Sequence, residues 1–237
     1  MPKQIKDYSD ERNKAWCVHC GQAIASAKCS REHVPTKALL DQPFPGELAT
    51  VTACEPCNNS YSKDEDYFVA FLSCVLSGST QPDHQVIKSA SGILSHSSAL
   101  RESIKREKKE YETLGGDQKT IWQPSLDRIR SFLVKNARAH LFYENGEPIF
   151  DEPRYVWFSP VQTMSEDDWR NFLGPVGGIG LWCEVGSRWN TRLIEGDTFD
   201  DAGFLVVQNG IYRFRIEGGG CGVRSIIREY LATSVIW

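Results

Sequence analysis

Two Cys-x-x-Cys pairs, Cys17/Cys20 and Cys54/Cys57, constrain the fold of this chain more than any other feature of its sequence. Each pair can bring two thiolates to one tetrahedral ion through a tight knuckle, and four sulfurs at about 2.3 Å complete the coordination of zinc. We therefore predict one structural Zn²⁺ site, whose four cysteine ligands leave no position open for a substrate. Residues 21–53 between the pairs exceed the spacing of a compact zinc ribbon, so a further element is expected there.

The expected cellular compartment indicates the redox state of the remaining cysteines. The N-terminus is polar and the sequence has no apolar run of about 18 residues, so we expect a cytoplasmic protein with no membrane partner. Thiols stay reduced there, which favours metal binding over disulfides and over two unrelated buried cysteine couples. Four cysteines without partners at ligand spacing are expected to be core thiols: Cys29, Cys74, Cys183 and Cys221. His19, inside the first knuckle, is expected to face solvent.

Three segments of different character predict an α+β protein. Residues 1–80 are expected to form the zinc-bound module, with a helix after the second cysteine pair. Residues 81–145 are predicted to be a helical middle segment that is basic, and residues 146–237 a β-rich C-terminal domain whose role the sequence does not indicate.

Local signals support this division. Ser125 is a plausible N-cap for a helix that ends at Asn145-Gly146, and Asn209-Gly210 predicts a β-hairpin. Short strands are expected in "RYVWFSPV", "GLWCEV", "GFLVVQ" and "IYRFRI", while "GVRSIIREYLATSVIW" can be a strand or a closing helix. Five tryptophans of this region are expected in the core: Trp157, Trp169, Trp182, Trp189 and Trp237.

Charge is unevenly distributed along the chain. The net charge of −4 gives no global sign of a nucleic-acid partner, but residues 101–138 hold ten basic against six acidic side chains. We expect phosphate contacts from this stretch. The candidates are Arg106, Lys108, Lys109, Arg128, Lys135 and Arg138. The alternative is a solvated helix face with i,i+4 pairs such as Glu102/Arg106.

Between the knuckles lies "SREHVPTKALL", and the second knuckle runs into "CNNSYSKDEDY". The ordered combination of Cys-x-x-Cys, Glu-His-Val-x-x-Lys and Cys-x-x-Cys-Asn opening a helix resembles the HNH endonucleases of the ββα-metal (His-Me finger) superfamily. The resemblance covers about residues 15–76. It implies a treble-clef-like ββα-metal module in residues 1–80.

The resemblance implies that the chain is an enzyme, a hydrolase that cuts phosphodiester bonds of nucleic acid, and the expected substrate is DNA. The products would carry 5′-phosphate and 3′-hydroxyl ends. It makes His33 the general base and Asn58 a ligand of a catalytic Mg²⁺ or Mn²⁺. Glu32 occupies the position where many members have Asp as the other metal ligand. These residue types suit the chemistry, because a neutral imidazole can deprotonate water and a hard cation neutralises charge on the phosphate.

Other readings of these residues stay open. His33 can be an ordinary strand histidine, and Asn58 can cap the helix. Glu65, seven residues after Asn58, lies on the same helix face and can approach the metal, or can be a solvated carboxylate. Adjacent residues of a regular strand point to opposite faces, so Glu32 and His33 can share a site only at a bulge or strand end.

The chain also departs from the family pattern. Ala49 stands where Asn often precedes the second knuckle, and Tyr61 and Ser62 stand where Lys or His often follows the helix Asn. An alternative function is therefore a non-catalytic treble-clef zinc module that binds nucleic acid or a protein partner.

Overall fold

A computed structural model describes all residues except 1, 3, 47, 175–184, 196–198 and 218–220. Helices and strands are mixed along the chain, which confirms the predicted α+β class. The expected strand "GLWCEV" and the expected core residues Trp182 and Cys183 lie outside the described residues, apart from Val185.

The described helices are α1 (Glu55–Ser77), α2 (Lys88–His96), α3 (Ser98–Glu107), α4 (Leu126–Asn145), α5 (Glu166–Leu173) and α6 (Arg188–Glu195). The described strands are β1 (Cys29–Val34), β2 (Ala49–Cys54), β3 (Lys108–Glu112), β4 (Gln118–Trp122), β5 (Tyr155–Pro160), β6 (Leu205–Gln208), β7 (Tyr212–Glu217), β8 (Gly222–Ile227) and β9 (Leu231–Ile236). No helix of the described part of the chain has the length and apolar character needed to cross a membrane.

The chain divides into two compact units that do not follow the order of the three sequence segments. Unit 1 combines residues 1–60 with residues 133–237, and unit 2 is Tyr61–Phe132. The cysteine pairs and the C-terminal strands therefore belong to the same unit, although they lie at opposite ends of the sequence.

In unit 1, β1 and β2 form an antiparallel pair that leads directly into α1. The register is continuous from Cys29↔Cys54 to Val34↔Ala49, without a bulge. One face of this pair packs against the C-terminal half of α4, where Ala139 and Phe142 join the cluster of buried side chains. Val18, one of the two residues inside the first knuckle, is part of the same cluster.

The C-terminal half of unit 1 is a five-stranded antiparallel sheet with the order β5-β9-β8-β7-β6. The predicted hairpin at Asn209-Gly210 is confirmed, since it joins β6 to β7 and Gly210 has a φ of +70° that suits glycine. The tail, for which strand and helix were both open, forms β8 and β9. One face of the sheet contacts α4, where the His140 ring lies 4.0 Å from that of Phe214.

Unit 2 shows that the helical prediction for residues 81–145 was incomplete. Between α3 and α4 the chain forms the antiparallel hairpin β3–β4, which includes Lys108 and Lys109. Thr113–Asp117 close the turn, and Gly116 has a φ of +85°. The expected start of α4 after Ser125 and its end before Gly146 are confirmed.

Candidate metal centre and adjacent strand

The four cysteines of the two pairs converge in unit 1: Cys17, Cys20, Cys54 and Cys57. Backbone pairing explains the convergence, because the Val18 N–H donates to the Thr52 carbonyl oxygen (3.2 Å) and so fixes the first knuckle against β2. The second pair then spans the junction between β2 and the first turn of α1. The four Sγ atoms all lie within 4.8 Å of one another.

The donor set fits a tetrahedral metal such as zinc. Sulfurs at about 2.3 Å from a tetrahedral ion stand about 3.8 Å apart. Cys20 Sγ and Cys54 Sγ are separated by 3.8 Å, which is that spacing and far longer than a disulfide bond. All four thiols are free, so four close cysteines could hold a metal ion such as zinc. No protein ligand beyond these four is needed.

The thiol pKa values indicate that the four clustered sulfurs need a positive charge to be deprotonated together. Burial raises the pKa of the Cys57 thiol, and the neighbouring sulfurs of Cys54 and Cys20 raise it further. At Cys17 burial also acts upward, but backbone N–H groups, including that of Cys54 at 3.3 Å, outweigh it and lower the pKa. Four close thiolates need a central cation to neutralise their charge, and metal binding releases their protons.

The cysteines expected in the core have different environments. Cys74 is fully buried in unit 2, as expected, and burial raises its pKa to about 12. Cys29 and Cys221 are only half-buried. Cys29 Sγ approaches the Ala27 carbonyl oxygen at 3.3 Å and is not one of the four clustered sulfurs.

His33 lies near the end of β1, opposite Thr50 of β2, and is half-buried. Desolvation lowers its pKa, and the positive charge of Lys37 lowers it further. The imidazole is therefore neutral, and able to accept a proton, at a lower pH than an ordinary histidine.

Asn58 is the fourth residue of α1 and follows directly on Cys57. Because the helix begins at Glu55, Asn58 lies inside the first turn, and the alternative that it caps the helix does not hold. Asn58 is half-buried, and it directly follows Cys57 of the four-cysteine cluster.

Glu32 lies on the other face of β1 from His33. Glu32 and Val34 are buried whereas His33 is not, which is the alternation of a regular strand. The Glu32 carboxylate contacts Lys135 Nζ (3.3 Å from Oε1) and His19 Nε2 (2.9 Å from Oε2). Burial acts to raise the pKa of Glu32, but His19 and Lys135 together lower it.

These contacts count against Glu32 as a ligand of a catalytic metal beside His33. The strand has no bulge that would turn both side chains to one side, and both carboxylate oxygens already have buried partners. The expectation that His19 faces solvent was wrong, because its side chain is only 1% exposed.

The basic residues predicted to contact phosphate differ in exposure and in their partners. Arg106 and Lys109 are exposed. Lys108 is half-buried, with its ammonium group 2.8 Å from Glu110. Arg128 pairs with Asp64 at 3.0 Å.

Lys135 and Arg138 are buried instead, at 4% and 6% exposure. Arg138 Nη2 donates to the carbonyl oxygens of Phe150 and Asp151 (3.2 and 2.9 Å). The expectation that these two side chains contact phosphate is corrected accordingly, because a buried cation bonded to protein oxygens does not reach a nucleic-acid backbone. Glu65 is half-buried on the part of α1 that belongs to unit 2.

Sequence reasoning missed His19 and Lys135 as the partners of Glu32. A signal for Lys135 was present, since Lys135, Ala139 and Phe142 recur at helical spacing on one stripe of α4, and a lone cation in such a stripe needs a buried anion. No comparable signal marks His19.

A scan against protein-family models finds no match, and neither do searches of curated proteins and of solved structures.

Proposed function

We propose that this chain is a metal-dependent HNH-type endonuclease that hydrolyses phosphodiester bonds of DNA. One observation carries the proposal: the antiparallel pair that bears His33 runs directly into the helix that bears Asn58, and the four-cysteine cluster spans the junction. This β-β-α order with a cysteine clamp agrees with the motif order from which the resemblance was drawn.

His33 acts as the general base. It takes a proton from the attacking water, for which the imidazole must be neutral, and its lowered pKa favours that form. The strand end on which it lies is fixed by the pairing of β1 with β2. Attack on phosphorus then breaks the bond to the 3′ oxygen, which takes a proton from solvent water, so the products are a 5′-phosphate and a 3′-hydroxyl.

Asn58 is the protein group proposed to hold the catalytic Mg²⁺ or Mn²⁺ through its amide oxygen. When bound, such a cation neutralises charge on the scissile phosphate and the leaving oxygen. Since Glu32 is committed to Lys135 and His19, fewer protein ligands are available than the resemblance implied. Mg²⁺ usually keeps several waters and binds substrate phosphates, so waters and the scissile phosphate would complete the coordination beside Asn58.

Exposed cations of unit 2 are the proposed contacts to the phosphate backbone. Arg106 and Lys109 are accessible, whereas Lys135 and Arg138 no longer belong to this set. Such contacts position a strand without reading its sequence.

The decisive experiment incubates the zinc-loaded protein with supercoiled plasmid and Mg²⁺ or Mn²⁺ and follows nicked and linear products. We expect His33→Ala and Asn58→Ala to lower the cleavage rate at least about 100-fold, the scale of general-base catalysis. His84→Ala and Asn59→Ala are matched controls, because His84 and Asn59 are exposed residues of the same types. The zinc content of all four variants should equal that of the wild type.

Cleavage that persists in His33→Ala would exclude the proposed base. Absence of cleavage by the wild-type protein on DNA and RNA, with either cation, would exclude the enzyme. An RNA substrate cut in preference to DNA would keep the mechanism and change the substrate.

A second candidate is a non-catalytic zinc module that binds nucleic acid or a protein. The buried Glu32–Lys135 pair favours it, because Glu32, at the position of a metal ligand in the HNH family, is bonded to a lysine of this chain instead. It predicts nucleic-acid or protein binding that needs zinc, without hydrolysis in any divalent cation.

A further inference from the structure

A cleft with a volume of about 380 Å³ lies on the face of the five-stranded sheet opposite to α4. Its floor follows one cross-strand row, in which Trp157 of β5 pairs with Ser234 of β9, and Ser234 pairs with Arg224 of β8. Tyr155, two residues before Trp157 on the edge strand, projects from the same face. His140 contacts Tyr212 and thus lies on the other face, so this cleft is separate from the buried side of the sheet.

Helix α5 forms the opposite wall of the cleft. Its Phe172 ring anchors the helix to the sheet, with ring centroids 5.9 Å from Trp157 and 6.0 Å from Phe204. The polar side chains of Asp168 and Asn171 line the cleft from this helix. The cleft therefore combines aromatic surface on one side with an amide and a carboxylate on the other.

Arg224 fixes the helix and the floor together. Its Nη1 donates to the carbonyl oxygens of Asn171 and Gly174 (both 3.2 Å) at the end of α5, and Nε lies 3.8 Å from Glu217. These contacts hold the guanidinium in place, which makes the floor a preformed surface.

The mixture of charges indicates the class of ligand. An anion would meet the carboxylate of Asp168, and a metal cation would meet the guanidinium of Arg224. A neutral planar ligand with both donors and acceptors satisfies both, and can stack on the exposed ring of Tyr155, which is 48% accessible. Nucleobases have these properties, and base–aromatic stacking is a general mode of binding.

We propose that this cleft binds a nucleobase. The choice of a nucleobase over other planar polar ligands rests on the proposed nuclease function. The base can come from a single-stranded or unpaired segment of the substrate or from a free nucleotide. The cleft would then supply base contacts that the phosphate-binding cations do not.

The test measures binding without cleavage. The full chain, zinc-loaded and without added Mg²⁺ or Mn²⁺, is titrated by calorimetry with the four deoxynucleosides, the four deoxynucleoside 5′-monophosphates and single-stranded tetranucleotides. Tyr155→Ala is expected to weaken binding about five- to 150-fold, the scale of losing one stacked base. Asn171→Ala is expected to weaken it about two- to tenfold, the scale of losing one hydrogen bond. Tyr111→Ala, which removes an equally exposed tyrosine of unit 2, should leave affinity unchanged.

The outcomes separate the sources of the ligand and the two proposals. Binding of free nucleosides or nucleotides assigns a nucleotide ligand, and binding of tetranucleotides alone assigns a strand. Tyr155 and Asn171 are surface residues, so folding of these variants is checked by their unfolding curves. No binding of any nucleobase probe at millimolar concentration, binding that both variants retain, or binding of glucose instead would overturn the inference. A protein that binds bases in this cleft but cuts no nucleic acid would fail only the proposed function.

Discussion

Lys135 of α4 and Glu32 of β1 form a buried ion pair, with Nζ 3.3 Å from Oε1 and side chains 4% and 6% exposed. His19 completes the group at 2.9 Å from the other carboxylate oxygen. The three side chains thus join β1, which carries the candidate base, to α4 and, through His19, to the first cysteine knuckle. Glu32 therefore lies on the face of β1 that packs against α4, opposite to the face that carries His33.

Lys135→Met is expected to destabilise the protein by about 3–5 kcal/mol, because it leaves the Glu32 carboxylate buried without its ammonium partner. Urea unfolding followed by circular dichroism measures the change. The double variant Glu32→Gln/Lys135→Met should cost less than the sum of the two single changes, since neither charge is then left unpaired. Lys109→Met, at an exposed position, is the control and should change stability by less than about 0.5 kcal/mol.

The same pair shows where sequence reasoning succeeded and where it stopped. The cysteine spacing identified four side chains that the fold brings together, because two short knuckles carry their own geometry. The turn signals at Asn209-Gly210 and Asn145-Gly146 were also sufficient, since they depend on local backbone conformation. The direction of Glu32 was not predictable, because its partner is contributed by α4, about a hundred residues away in the sequence.

Hairpin β3–β4 is a second feature that the hydrophobic pattern of the sequence did not predict. Residues 108–112 and 118–122 are mostly exposed on both faces, so neither strand shows the alternation of apolar and polar residues by which strands are recognised. The Gly115-Gly116 dipeptide is a turn signal in this stretch, but the helical prediction for residues 81–145 did not use it.

Cys54→Ser is expected to lower bound zinc well below one ion per chain and to abolish cooperative unfolding of the cysteine-clamped region. Removing one of four thiolates leaves an incomplete tetrahedron, and the metal contributes directly to folding. Elemental analysis of the purified protein and thermal unfolding with and without a chelator measure these effects.

Cys29→Ser is the matched control. Cys29 lies directly opposite Cys54 on β1 but is outside the four-sulfur cluster, so zinc content should stay at the wild-type value. Equal zinc content in Cys54→Ser and the wild type would exclude the site.

Lys37→Gln is expected to shift the acidic limb of the pH–rate profile of DNA cleavage to higher pH. The rate rises with pH as His33 loses its proton, because only the neutral imidazole can act as the base. Desolvation is the larger cause of the lowered pKa of His33, and the charge of Lys37 is the second, so removing that charge raises the pKa. The profile of kcat/KM measures the shift.

Lys28→Gln serves as its control, since Lys28 is an exposed lysine of unit 1 that pairs with Glu55 (2.8 Å). It should leave the acidic limb in place. An unchanged limb in Lys37→Gln as well would mean that the titrating group is not His33.

His140 is expected to make the folded protein sensitive to acid. Burial lowers its pKa to about 3, and Nε2 of the ring is hydrogen-bonded to the Tyr212 hydroxyl at 2.8 Å, while Asn136 Nδ2 donates to that hydroxyl at 2.7 Å. Glu144 and Arg192, which line the same small cavity, bond to each other at 2.9 Å. Among the described residues that line this cavity, the carboxylate of Glu144 is therefore already paired with Arg192 and not with His140.

In the unfolded chain His140 has an ordinary pKa near about 6.5. Below that pH the unfolded state therefore binds a proton that the folded state does not bind. Its contribution to the free energy of unfolding therefore falls by up to about 1.4 kcal/mol for each pH unit from about pH 6 towards pH 3. His140→Gln, which keeps an acceptor but cannot titrate, is expected to be less stable at pH 7 and to lose less stability on acidification. Urea unfolding at pH 7, 6 and 5 measures both slopes. His84→Gln, at an exposed histidine, should follow the wild-type slope, and parallel slopes for wild type and His140→Gln would refute the assignment.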